Sequence, residues 1–232
     1  MKKIFLVALL PALLLGACTG KKTDRAAAQK VYKESLKDSI EVIEHQIDSC
    51  KLAMVDMTEF VDNTLNKFTV VENPREVEGY YILKDWAGKY PLQSTGLVAR
   101  ITKSEQLELI ASLKGGTFDQ IQVVSGVESM ESDVVPNDQA LNYRRDGLTT
   151  VMFSGAKADE IGSFIADNEL NNLKLVFLEN GKVRSSWVMP VETAKMATIT
   201  WALSNGMKNL NKTEMNMKVL SQKVDILRKH IE

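Results

Sequence analysis

Histidine, the side chain best suited to proton transfer near neutral pH, occurs only at His45 and His230 in this chain of 232 residues. Neither shares the middle of the chain with Ser125 or Ser154, so a Ser–His or Cys–His pair has no setting there. Histidine-based metal sites lack their ligands for the same reason. No Gly-rich phosphate loop, nucleophile elbow or Ca²⁺-loop pattern occurs. What remains is carboxylates and aromatics. Glu128, Glu131, Asp133 and Asp138 form an acidic stretch that could hold Ca²⁺ through oxygen ligands or supply a carboxylate pair for acid–base work; a solvated loop is the plainer reading. Trp86-Ala87-Gly88-Lys89-Tyr90-Pro91 puts two large aromatics in an expected loop, just after Tyr80 and Tyr81. Such rings either stack on sugars or anchor a protein partner, or fold back to cap a small core. Trp86 and Tyr90 are therefore the candidate ligand-binding residues. No catalytic residue, metal ligand or cofactor is expected, and the chain is read as a non-enzyme.

The elements that must position those aromatics are of two kinds. From Thr23 to Lys67 there is neither Pro nor Gly. Leu36, Ile40, Ile43, Ile47, Cys50, Met54, Met57 and Val61 step by threes and fours, the spacing of a coiled-coil seam. Lys37, Asp38, Glu41, Glu44, Asp48 and Lys51 fill the positions between, as a solvated helix face should. A helix of this length extends about 65 Å. Leu203, Leu210, Met217, Leu220, Val224, Leu227 and Ile231 repeat the pattern at the other end, with Thr213 in the one weak slot and Gly206 the only helix breaker after Pro190.

Between these segments, turn residues punctuate short apolar runs: Tyr80 to Leu83, Leu97 to Ile101, Leu107 to Leu113, Ile121 to Val124, Thr149 to Phe153, Leu173 to Leu178 and Val183 to Met189. These read as strands. Ala158, Ile161, Phe164 and Ile165 share one face of an intervening helix. Asn180-Gly181 suits a type I′ hairpin turn, which would set Leu178 opposite Val183, Phe177 opposite Arg184 and Lys174 opposite Trp187. Neither face is then cleanly polar, so either both sides are covered or the register differs.

The expected fold class is α+β: long amino- and carboxyl-terminal helices paired as an antiparallel coiled-coil stalk, with a β-rich, sandwich-like head inserted between them. Aligning Val61 with Leu203 layers Met54 on Leu210, Ile47 on Met217 and Ile40 on Val224. The competing arrangement is self-association of the helices, giving a homo-oligomer. In the hairpin Cys50 is a small buried residue; in a parallel dimer two copies would meet and could form a disulfide. The boundaries are 1–17 for a leader, 18–68 for an anchor and first helix, 69–190 for the head and 191–232 for the last helix.

Charge points to no polyanionic partner. The formal net charge is −1, with 29 basic and 30 acidic side chains, so nucleic-acid binding is not expected. The first twenty residues stand apart. Lys2 and Lys3 precede an apolar run from Ile4 to Leu15, too short to span a bilayer, which takes roughly 20 apolar residues. A basic start, a short apolar stretch and small residues at its end mark a secretory signal. Its end, Leu15-Gly16-Ala17-Cys18, resembles the lipobox of bacterial lipoproteins. The resemblance implies cleavage before Cys18, lipidation of its thiol and acylation of the new terminus, a durable membrane anchor. With Cys18 so used, Cys50 is the only thiol left and no internal disulfide can form. In that class an Asp after the Cys retains the protein at the inner membrane, so Thr19 implies the outer membrane. The non-acidic Gly20-Lys21-Lys22-Thr23 favours its periplasmic face.

The functional expectation is a membrane-anchored envelope lipoprotein with a structural, scaffold or adaptor role, its head holding an envelope protein or cell-wall polymer. The alternative is a carbohydrate-binding accessory lipoprotein that uses Trp86 and Tyr90 as stacking platforms.

Overall fold

The computed structural model describes residues 22–72 and 78–231; the leader and the lipobox with Cys18 lie outside the described residues. The chain is α+β. A long helix α1 (Lys22–Leu65) comes first and a long helix α4 (Val191–Lys229) last. Between them run β1 (Phe68–Val71), β2 (Tyr80–Leu83), a single-turn α2 (Lys84–Ala87), β3 (Gly96–Thr102), β4 (Leu107–Lys114), β5 (Gln120–Ser125), β6 (Glu128–Glu131), β7 (Asn142–Arg145), β8 (Leu148–Phe153), α3 (Ala156–Asp167), β9 (Lys174–Glu179) and β10 (Lys182–Val188). The strands form two antiparallel sheets in a sandwich-like region, one ordered β1-β2-β3-β4-β8-β7 and the other β10-β9-β5-β6.

Two compact units are distinguishable. One holds the described residues up to Ile47 together with those from Leu220 onward; the other is Asp48–Val219. In the first, Ile40, Ile43 and Val224 are buried together, with Ile47, Leu220, Leu227 and Ile231 packed against them. Arg228 Nη2 meets Glu44 Oε1 at 2.6 Å, and Lys33 Nζ donates to the Ile231 carbonyl. All eight heptad residues of α1 escape full exposure, while most positions between them are exposed. The three-four spacing is thus visible as burial.

In the second unit both sheets, α3 and part of α4 share one core, including Leu97, Ala99, Leu109, Phe118, Ile121, Phe177, Ile161 and Ala197. Burial of that much aliphatic and aromatic surface, at about 25 cal/mol per Å², is what closes the sheets. Close approach is built in at Gly162, where an added Cβ would lie 2.6 Å from the Trp201 ring and 2.9 Å from Leu107. Gly206 does not interrupt α4. A Cβ there would come within 3.0 Å of the Phe60 ring, so the residue that read as a helix breaker makes room for an aromatic of α1.

The β9–β10 hairpin resolves the register left open by sequence. Asn180 and Gly181 both take positive φ, 52° and 69°, as a type I′ turn demands. Leu178 does face Val183, but a bulge follows and leaves Arg184 unmatched, so Phe177 pairs with Ser185, Leu175 with Trp187 and Lys174 with Val188. The one-residue slip swaps faces beyond the bulge. Trp187 thereby packs against the core, and Arg184 is left to pair with Glu179.

Other expectations change too. Glu128 and Glu131, read as loop residues, lie on β6, where only Met130 is packed against the core. Trp86 lies on α2 rather than in a loop. Strands β1, β6 and β7 were not anticipated.

Candidate functional site

Arg100 is the anomaly around which a site is built. It lies on β3, every residue of which is buried, and its own side chain is 2 % exposed. Alternation along the strand sends Leu97, Ala99 and Ile101 to one face and Arg100 to the other. On that second face Arg100 sits opposite Glu108 of β4, and its Nε donates to Glu108 Oε2 at 2.6 Å. Burying an arginine without a partner carries a heavy desolvation penalty; the ion pair with Glu108, itself 14 % exposed, offsets it.

Aromatic rings complete the cradle. The guanidinium carbon lies 4.0 Å from the centroid of the Tyr80 ring and 5.5 Å from that of Tyr90, within cation–π range of both. Tyr80 and Tyr90 meet edge to face with centroids 5.8 Å apart. Arg100 Nη1 reaches Tyr90 Oη at 3.3 Å, and Nη2 points toward the Met152 sulfur at 3.9 Å. Strands β2, β3, β4 and β8 therefore fix a planar cation between ring faces, with few torsions left free.

Above this floor is a groove of about 570 Å³, within the usual range for ligand pockets. Its floor is Tyr80, Arg100, Glu108 and Met152; Tyr143 and Arg145 of the edge strand β7 form one wall, and Gln139, Ala140 and Leu141 line it from the preceding loop. That loop is held by Asp138, whose Oδ1 accepts the backbone N–H groups of Ala140 at 2.7 Å and Leu141 at 3.0 Å. These two bonds, Ala140's first, hold the Asp138 carboxyl below its ordinary titration range, because they favour the charged form.

The two candidate aromatics are not brought together. Tyr90 joins the Arg100 groove, whereas Trp86 lines a separate concavity of about 510 Å³ with Lys67, Lys84, Lys89 and Lys195 around it. Lys89 Nζ stands 4.4 Å from the Trp86 ring centroid. Cys50 is half-buried on α1, where its sulfur accepts a hydrogen bond from Asn216 Nδ2 at 3.7 Å. Among the described residues no group of three or more His, Cys, Asp or Glu is placed to hold a metal ion, and no helix is long and apolar enough to cross a membrane. His45 is exposed on α1, with its Nε2 4.0 Å from Glu41.

Sequence reading missed Arg100 and Glu108, yet a signal was present. Each is a lone charge inside an apolar run, Leu97 to Ile101 and Leu107 to Leu113, and the two stand four residues either side of Ser104. A tight antiparallel turn centred there must place them opposite each other. Compared with known proteins, the chain matches no family model, no curated protein and no solved structure.

Proposed function

We propose that this chain is an envelope lipoprotein, anchored through Cys18 at the periplasmic face of the outer membrane, whose β-rich head binds a ligand as a non-catalytic adaptor. The observation that carries the binding role is the pre-set Arg100–Glu108–Tyr80–Tyr90 array at the floor of the groove. Fixed side chains lose little entropy when a ligand arrives, so the arrangement favours recognition. Glu108, the carboxylate nearest the centre, serves to hold Arg100 in place. The anchor is supported by the leader and by Leu15-Gly16-Ala17-Cys18.

The terminal helices pair as an antiparallel coiled coil within one chain. In one unit this reading is supported by the Ile40–Ile43–Val224 cluster and the Glu44–Arg228 ion pair. In the other it is supported by Cys50 against Asn216 and by the Phe60 ring at Gly206. The pair's role is to carry the head on the anchored segment.

The test is metabolic labelling with an alkyne-bearing fatty acid in a bacterial host, followed by membrane fractionation. The native chain incorporates label and sediments with outer membranes, and Cys18→Ala does neither. Label retained in Cys18→Ala, or native protein free of label, overturns the anchor.

A further inference from the structure

From the groove over Arg100 we infer a binding site for a neutral glycan chain; this rests on the head being a binding module. The argument is one of chemical match. The charged side chains lining the groove are Glu78, Glu108, Arg100 and Arg145, two of each sign. An anion or a cation entering would meet no net counter-charge, and neither gains a decisive advantage over water. A purely apolar ligand is disfavoured as well, because it would cover those charges and the Thr102 hydroxyl without replacing their hydrogen bonds.

A neutral polyhydroxylated ring fits both properties of the surface. Its C–H faces lie against flat aromatic surface, and Tyr143, 37 % exposed on the wall, offers the accessible ring. Its hydroxyls both donate and accept, which matches a lining that mixes guanidinium donors, carboxylate acceptors and the Gln139 amide. The groove is also bounded by an edge strand: β7 pairs with β8 on one side, and on the other Asn142 is bridged to Asp138 while, among the described residues, no further strand follows. A polymer can therefore lie across the wall with one or two units seated inside, instead of being swallowed end first.

The site differs from a stacking platform made of Trp86 and Tyr90. Trp86 belongs to the lysine-ringed concavity, so the glycan contact is assigned to Tyr143 and Arg145 over the Arg100 floor.

The experiment is isothermal titration of the full chain, purified in an amine-oxide detergent that carries no sugar. Hexasaccharides of glucose, mannose, xylose and N-acetylglucosamine are the probes, with hexagalacturonate as the anionic counterpart. At least one neutral hexasaccharide binds, Tyr143→Ala weakens it tenfold or more, Arg145→Ala weakens it severalfold, and Trp86→Ala leaves it unchanged. Circular dichroism of the two β7 variants matches the native chain, since both residues sit on an exposed edge. Binding of none of the neutral probes overturns the inference, as does binding of hexagalacturonate alone or indifference to Tyr143→Ala. The two readings fail separately. A chain that takes up fatty acid but binds no glycan refutes this inference and leaves the anchor standing, and glycan binding by an unlabelled chain does the reverse.

Discussion

At the residue scale the Arg100–Glu108 pair is an ion pair held largely out of water. Neutralising one partner leaves the other charge buried without its counter-ion, a loss of about 3–5 kcal/mol. Removing both costs less, because the desolvation penalty disappears with the charges. Glu108→Gln is therefore expected to destabilise the head by about 3 kcal/mol, and Arg100→Met with Glu108→Leu by clearly less, as read from urea unfolding midpoints. Equal losses would mean the pair is as well hydrated as a surface one. Asp138 gives a pH-dependent counterpart. Its folded-state titration is depressed by the Ala140 and Leu141 N–H groups, so its contribution is complete above the ordinary aspartate value and lost as pH falls through the depressed one. The amide resonances of Ala140 and Leu141 should titrate at a pH below about 4, the usual aspartate range. Asp138→Asn keeps an acceptor oxygen and abolishes that titration.

At the element scale most of the strands that declared themselves in sequence are buried ones. The runs at Leu97, Leu107, Ile121 and Leu173 become β3, β4, β5 and β9 because residues there supply the shared core. Two of the three missed strands, β6 and β7, are marginal in that respect. In β7, Asn142 is buried while Tyr143, Arg144 and Arg145 are exposed, and in β6 only Met130 packs inward. Both lie at sheet edges, where pairing comes from the backbone of a neighbour and leaves little apolar pattern to detect. The groove was hard to foresee for the same reason, since one wall is β7 and another a loop held by the Asp138 carboxylate and a few backbone bonds. The helices were more legible, because a seam of period three and a half needs only spacing. Their pairing is open to a direct check. Asn216 sits 3.7 Å from the Cys50 sulfur, so Asn216→Cys should oxidise to an intrachain disulfide in a mild oxidant. A chain migrating as a covalent dimer through Cys50 would instead indicate helices shared between molecules.

At the scale of the whole molecule, the two units hold very unequal cores. Among the described residues the buried cluster of the smaller is Ile40, Ile43 and Val224, whereas that of the larger runs through both sheets and two helices. Local opening free energies follow buried contacts, so unfolding should not be a single cooperative step. Native-state hydrogen exchange is expected to release the amides around Ile43 and Val224 at lower denaturant than those of β3 and β4, and identical release would show one cooperative body. The bulge at Arg184 has a consequence for the molecule's behaviour in a crowd. Strand β10 is the outer strand of its sheet and exposes Val183 and Val188, the kind of margin onto which a neighbouring chain can add strand upon strand. The bulge breaks the regular row of N–H and C=O groups there and sets a charged, ion-paired side chain in the gap. Deleting Arg184 restores an even row while leaving Trp187 opposite Leu175. That variant should become turbid and bind an amyloid dye on mild warming while the native chain stays clear, because the extra residue acts as a guard against runaway fibre growth.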